Sequence, residues 1–375
     1  MRIAAYVEQA YHSSGGNSVY ETELVRHLGR VDDQHQYTLF TSRTYRDAPD
    51  LDVDGNPRFQ RRSLTLPHAL CHGLWLLADW PPVDAALGKH DLYHALNPIV
   101  FPAREGRYLV TIHDLFTLTV PDFVGRRHRL GWQVHVKRML RRADHFVAVS
   151  ESTRHDMIAH LNVASDRITV VHEGVRPGFE VLAPDAVREI RQRYGLTHPY
   201  FMVSESRNPR KNVLRMLRAF AVVRRRSPDP VELVMTSPGS TISPAATDEI
   251  ARAGLEAAVR FCPHVCDADL VALMNGATAL LFVSLYEGFG LPILEAMACD
   301  TPVVTANVSS MPEVAGDAAV LVDPTDEEAI AEAMWELLTD EGARRQRVEA
   351  GRRRVQKFTW ERMARQYVTL YDSLV

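Results

Sequence analysis

The run Ala279-Leu-Leu-Phe-Val283 restricts the fold more than any other stretch of the chain. Its apolar residues succeed one another without polar alternation. A strand of that kind needs cover on both faces, the situation of a parallel sheet layered between helices. The adjoining segment, Ser284-Leu-Tyr-Glu287-Gly-Phe-Gly-Leu-Pro-Ile-Leu-Glu295-Ala-Met-Ala298, reads as a loop and then a helix. Gly288 and Gly290 let the backbone come close to a ligand. Pro292 suits a first helical turn, where its missing N–H would be unpaired anyway. Loop and helix start together offer free N–H groups and partial positive charge, a ready phosphate site. The acids bracketing it, Glu287 and Glu295, would repel a phosphate. They are better placed to accept hydrogen bonds from hydroxyls on either side of one. Sugar hydroxyls, a diphosphate and ribose hydroxyls, in that order, make up a sugar nucleotide.

Strand and helix patterns alternate through both halves, which argues for α/β architecture with parallel sheets. At 375 residues the chain is long enough for two domains. The Gly/Pro-containing stretch after Arg167-Ile-Thr-Val-Val-His-Glu-Gly174-Val-Arg-Pro177 places their boundary near 178–184, giving domains of about 1–180 and 181–358. A formal net charge of −4 gives no whole-molecule case for nucleic acid. No run of 18 apolar residues is present, so no membrane span is expected, and the N-terminus reads as a first strand rather than a signal peptide. Four cysteines, Cys71, Cys262, Cys266 and Cys299, are sparse usage that suits a reducing cytoplasm.

Further candidates lie where strands hand over to helices, the usual ligand side of such sheets. Ser13-Ser-Gly15-Gly16-Asn17 comes after the first strand. Tyr108-Leu-Val-Thr-Ile-His113-Asp114 is a buried strand ending in polar residues, and spacing alone favours a structural role for His113. Tyr200-Phe-Met-Val203 leads into Ser204-Glu-Ser-Arg207-Asn-Pro-Arg210-Lys211-Asn212, a basic loop at a helix start that suits a diphosphate. Two apparent metal motifs carry less weight. Asp52-Val-Asp54 has no apolar strand leading into it and reads as a solvated turn. Cys262-x3-Cys266 with His264 lacks the second ligand pair of a zinc site. No metal site is therefore expected. Phe123–His145 is basic, with Arg126, Arg127, Arg129, Lys137, Arg138, Arg141 and Arg142 interleaved with Trp132, Val134, Val136, Met139 and Leu140. It reads either as a solvated helix face or as a surface for anionic membrane.

Glu-x7-Glu inside Tyr-Glu-Gly-Phe-Gly-Leu-Pro-x-Leu-Glu-Ala-Met-Ala resembles the donor motif of family 4 retaining glycosyltransferases, and the resemblance extends over nearly the whole chain. It implies the GT-B fold: two Rossmann-like domains facing across a cleft, with the last helix, 359–375, crossing back to the first domain at Trp360. It also implies roles. Lys211, with Arg207 in preference to Arg210, would hold the donor diphosphate together with backbone N–H groups at Gly288, Phe289, Gly290 and Leu291. Glu287 would hold sugar hydroxyls and Glu295 ribose hydroxyls. Gly15 and Gly16 would approach the diphosphate and acceptor, and His113 would face the transferring sugar while Asp114 orients its loop. Transfer would be retaining, metal-independent and without a cofactor beyond the nucleotide-sugar co-substrate.

Thr-Ile-His-Asp-Leu, Pro-Arg-Lys-Asn and Ser-Leu-Tyr-Glu-Gly-Phe-Gly-Leu-Pro are most similar to bacterial mannosyltransferases of O-antigen and other surface polysaccharides. GDP-mannose is thus the expected donor and a saccharide or lipid-linked saccharide the expected acceptor. A cytoplasmic location is expected too, with peripheral contact at the inner face of the cell membrane through 123–145. The chain departs from the family pattern where Glu205, Thr236-Ser-Pro-Gly239 and Asp300 stand in place of common glycines. The alternatives are a GT-B sugar-nucleotide epimerase and a non-catalytic nucleotide-sugar-binding subunit.

Overall fold

The computed structural model describes residues 1–11, 15–121, 125–204, 208–237, 239 and 241–375, with backbone only at 126–130. The chain divides into two units, Met1–Gly174 with Thr359–Val375, and Val175–Phe358. The division falls at Gly174, ahead of the expected 178–184. The reason is that Val175 N already donates to Phe358 O at 3.2 Å, inside the second unit.

Among the described residues the first unit holds seven strands: β1 Arg2–Tyr6, β2 Gln36–Thr41, β3 Phe59–Ser63, β4 Leu92–Ala95, β5 Arg107–Ile112, β6 His145–Ala148 and β7 Ile168–Val170. They form one sheet in the order β3-β2-β1-β4-β5-β6-β7, parallel throughout. The second unit holds β8 Tyr200–Ser204, β9 Glu232–Ser237, β10 Val259–Pro263, β11 Ala279–Phe282, β12 Val303–Ala306 and β13 Val320–Val322. Their order is β10-β9-β8-β11-β12-β13, again parallel. The central strands β4 and β11 are buried along their whole length, as strands with helices on both faces are.

In each sheet the strand order reverses once, at β1/β4 and at β8/β11. Loops leaving the two strands there run in opposite directions and open a crevice at their carboxyl ends, which is where ligands bind in such sheets. Gly15 comes after β1. The Asn208–Asn212 and Ser284–Gly290 segments come after β8 and β11. The fold therefore brings together residues about 80 positions apart in sequence.

An aromatic cluster fills the core of the first unit. Tyr6 packs on Phe40, Trp75 and Phe101 with ring centroids 5.2, 5.6 and 5.8 Å apart. Such pairs contribute about 0.5–1.5 kcal/mol each beyond the area they bury. The terminal helix Trp360–Leu374 supplies Tyr367 and Tyr371 to the same unit. Tyr367 OH lies 3.1 Å from Thr111 Oγ1 and hydrogen-bonds Tyr20 OH, and Tyr371 OH lies 2.8 Å from His94 Nδ1. His94 Nε2 is 3.0 Å from Thr111 Oγ1, so both ring nitrogens have partners. Complete satisfaction is what makes a buried polar network tolerable. Burial, with a contribution from His113, pushes the pKa of His94 down to about 3, so it is neutral. Gly174 allows the crossing: a Cβ there would sit 2.4 Å from Trp360 N.

Candidate active site

The second unit's crevice is built on three backbone devices. Asn212 takes a left-handed conformation with φ 61°, and its buried Nδ2 donates to Val283 O (2.9 Å) and Pro324 O (2.7 Å). Leu285 N donates to Arg210 O at 2.7 Å. These bonds tie the basic turn Pro209–Lys211 to the end of β11. Ser309 and Ser310 hold the other side: Ser309 Oγ donates to Glu287 O at 2.6 Å, and Ser310 Oγ lies 2.6 Å from Phe289 O.

Glu287 sits where the two loops meet. Its Oε1 accepts from Lys211 Nζ at 2.7 Å and its Oε2 from Arg210 Nη1 at 2.5 Å. Arg210 Nη1 also donates to Tyr286 O at 2.8 Å. Burial by itself would raise the pKa of Glu287. The charges of Lys211 and Arg210 outweigh it and hold the carboxyl below its ordinary value. Lys211 Nζ also stands 5.1 Å from the Phe282 ring centroid, a cation–π distance.

Gly290 caps the helix Leu291–Ala298 at φ 118° and brings no side chain to its N-terminus, and Pro292 lies in the first turn. In the first turn Pro292 has no N–H and Ile293 N already donates to Gly290 O at 3.0 Å, so Leu291 N is the first-turn donor with no partner inside the helix. Phe289 packs its ring against Phe358, with centroids 5.9 Å apart. Glu295, inside the helix, is buried. Arg176 Nε lies 3.0 Å from Glu295 Oε1, a charge contact rather than an aligned hydrogen bond. Burial raises the pKa of Glu295 and Arg176 offsets only part of that, so Glu295 titrates above an ordinary glutamate while Glu287 titrates below one.

In the first unit, Gly15 (φ 134°) caps the helix Gly16–Val31. His113, just past β5, is held at both nitrogens. Nε2 is 3.0 Å from Leu96 O, and Nδ1 is 3.4 Å from Glu173 Oε1. Tyr20 meets its ring edge-on at 4.5 Å. Burial would lower the pKa of His113, but Glu173 and the Leu96 carbonyl raise it overall. Nearby, Glu21 is fully buried, accepting from Ala10 N (2.9 Å) and Asn97 Nδ2 (3.0 Å), and burial pushes its pKa up to about 8.

Two family models match the chain, one on each half: Glycosyltransferase Family 4 over residues 14–179 and Glycosyl transferases group 1 over residues 187–354. The chain belongs to the group 1/family 4 glycosyltransferases. An Escherichia coli relative, O-antigen chain mannosyltransferase B, is 27% identical over 390 residues, covering 100% of both chains. Sucrose-phosphate synthase from Thermosynechococcus elongatus superposes with a TM-score of 0.76 at 22% identity, covering 100% of this chain and 99% of that one. Anabaena HepE, solved with UDP-glucose, gives a TM-score of 0.76 at 19% identity over 100% of each chain. The glycosyltransferase thus has the GT-B fold expected of it.

Against the sequence-derived candidates, the glycosyltransferase brings Arg210, Lys211 and Glu287 into direct contact and sets Gly288, Phe289, Gly290 and Leu291 beside them along one loop. Glu287, expected on the hydroxyls of the sugar, is here the shared partner of both cations. Arg207 and Glu205 lie outside the described residues, and Arg210 is the arginine seen on Glu287. Asp300 adopts φ 55°, a conformation open to glycine or a short polar residue, at the far end of helix Leu291–Ala298. Eight residues put that end about 12 Å from Gly290. Its Oδ1 accepts from Arg352 Nε at 2.7 Å, so the acid is paired.

Four contributors escaped the sequence reading: Arg176, Glu173, and the pair Ser309–Ser310. Each acts on a residue far away in sequence, and none falls in a periodic or motif-like run. A Glu directly before Gly174 and an Arg two residues past it were the only local hints.

Proposed function

We propose that the chain transfers a mannosyl group from GDP-mannose, with retention of anomeric configuration and without a metal ion, to a saccharide or lipid-linked saccharide in surface-polysaccharide synthesis. The observation that carries this is Glu287 bound by Lys211 and Arg210 at the mouth of a glycine-capped helix. Name and length of the Escherichia coli relative support the sugar and the pathway class. The UDP-glucose complex of HepE supports a nucleotide-sugar donor.

On this reading the chemistry is governed by charge. Breaking a sugar–phosphate bond concentrates negative charge on the leaving diphosphate. Lys211, Arg210 and the N–H groups of Gly290 and Leu291 stabilise that charge more than they stabilise the intact donor, which is the condition for catalysis. As the cations turn to the diphosphate, Glu287 is freed to accept hydrogen bonds from sugar hydroxyls. Glu295 accepts from the ribose. His113, whose two nitrogens are engaged by Leu96 and Glu173, acts through a rigid, positively biased ring rather than as a mobile base. The departing phosphate takes the proton of the acceptor hydroxyl.

Peripheral membrane contact has structural support in the first unit. Among the described side chains of helix Arg126–Arg142, Val134, Lys137 and Arg141 are exposed along one stripe. Arg138 Nη1 donates to Leu76 O at 2.6 Å and Arg142 pairs with Asp79 at 2.9 Å, which seats this helix beside the end of helix His68–Ala78. There Leu77 is 86% and Trp80 57% exposed. Basic charge beside bare apolar side chains suits an anionic lipid surface.

The deciding experiment incubates purified protein with GDP-mannose and a lipid-linked saccharide. Lys211→Ala is expected to slow transfer about a hundredfold, some 3 kcal/mol, with an unchanged circular-dichroism spectrum. Full activity in that variant, or sugar isomerisation without any acceptor, would overturn the proposal.

A further inference from the structure

We infer that Glu8, His68 and His72 form a binding site for a late first-row divalent cation, with Zn²⁺ its representative. The inference does not rest on the transfer reaction.

The three side chains converge from two elements. His68 and His72 stand one turn apart on one face of helix His68–Ala78, the spacing that points two imidazoles the same way. Glu8 lies just past β1 and is buried, with its Oε2 toward both rings. His68 Nδ1 lies 2.7 Å from that oxygen and His72 Nε2 lies 3.6 Å from it. All three donor atoms fall within 4.8 Å of one another. Around a tetrahedral ion with bonds of about 2.0–2.1 Å, neighbouring donors are about 3.4 Å apart, so the observed separations bracket the required one.

The surroundings have the character of a metal site's outer shell. Ser42 Oγ and Tyr6 OH both donate to Glu8, fixing the carboxylate's orientation. Tyr6 OH also lies 2.8 Å from His72 Nε2, a contact on the ligating nitrogen that the ion would displace. The His72 ring stacks on Trp75 at 5.6 Å and 28°. Outer partners of this kind orient ligands and govern affinity. Glu8 is held below its ordinary pKa: burial opposes ionisation, and His72, Ser42 and His68 together overcome it. Two imidazoles and one carboxylate match Zn²⁺ and its neighbours and not Mg²⁺ or Ca²⁺, which prefer all-oxygen sites. With its ring proton held on Nε2, His68 turns a bare Nδ1 to the ion, which replaces the His68–Glu8 hydrogen bond. Glu8, His68 and His72 supply three ligands and water supplies a fourth. The ion would bolt the helix His68–Ala78 to the end of β1.

The test uses full-length, tag-free protein, since a polyhistidine tag would mask the result. The protein is exchanged into Zn²⁺, dialysed against metal-free buffer, and assayed for zinc by mass spectrometry. Stoichiometric retention by the wild type, lost in His68→Ala/His72→Ala and weakened in Glu8→Gln, is the expected result. In parallel, Zn²⁺ should raise the melting temperature of the wild type and leave that of the double variant unmoved, with Mg²⁺ inert on both. Circular dichroism checks that each variant is folded. No retained zinc in the wild type, equal retention in the double variant, or equal stabilisation by Mg²⁺ would overturn the inference.

Discussion

Two buried glutamates, eight residues apart, titrate in opposite directions because of what faces them. Glu287 has two cations and stays ionised; Glu295 has one imperfectly aligned guanidinium and is pushed toward its neutral form. A ribose hydroxyl on Glu295 would supply the hydrogen bond that Arg176 does not align to make. Glu295→Ala should therefore weaken GDP binding by roughly 1.5–3 kcal/mol, about ten- to a hundredfold, in a calorimetric titration. Unchanged affinity would remove Glu295 from the ribose. At His113 the sign of the pH effect is set by its partner. A folded-state pKa raised above the unfolded value of about 6.5 adds stability that is fully present below that value and disappears as pH rises through the folded pKa. Replacing Glu173 with Gln should lower the imidazole pKa seen by NMR. The stability gap between wild type and Glu173→Gln should be widest near pH 5–6 and close on the alkaline side.

Among the elements, the helix Leu291–Ala298 depends on one backbone conformation. At Gly290 φ is 118°, and a Cβ would lie 3.2 Å from Ile293 Cδ1. Gly290→Ala is expected to cost about 1–3 kcal/mol, visible as a lowered melting temperature, and to reduce nucleotide binding by displacing the first turn. This helix and its strand were legible in the sequence because a continuous apolar run, two glycines and a proline are local signals that agree. Most parallel strands were legible for the same reason. β3 was not: Phe59–Ser63 alternates between half-buried and exposed positions and carries two arginines, so at the sheet edge it lacks the apolar run of an interior strand. The contact of Glu287 with Lys211 was equally hidden. Both residues were recognised, but their meeting depends on β8 and β11 being neighbours, a fact of strand order that no window of sequence contains.

Taken whole, the described residues include no helix long and apolar enough to cross a membrane. The lipid contact proposed for this glycosyltransferase would rest on surface chemistry of the first unit. Vesicles containing anionic lipid should sediment the protein at low salt and release it at high salt, and Lys137→Glu/Arg141→Glu should abolish sedimentation. Sedimentation indifferent to salt and to these changes would refute the contact. The path of the chain also bears on its synthesis. Residues 1–174 wait on 359–375 for Tyr367 and Tyr371, which close the hydrogen-bond network around Thr111 and His94. A chain emerging from the ribosome presents those tyrosines only after the whole of Val175–Phe358, so the unit begun first is completed after the second has been made, and its buried Tyr20, His94 and Thr111 stay incompletely partnered until then.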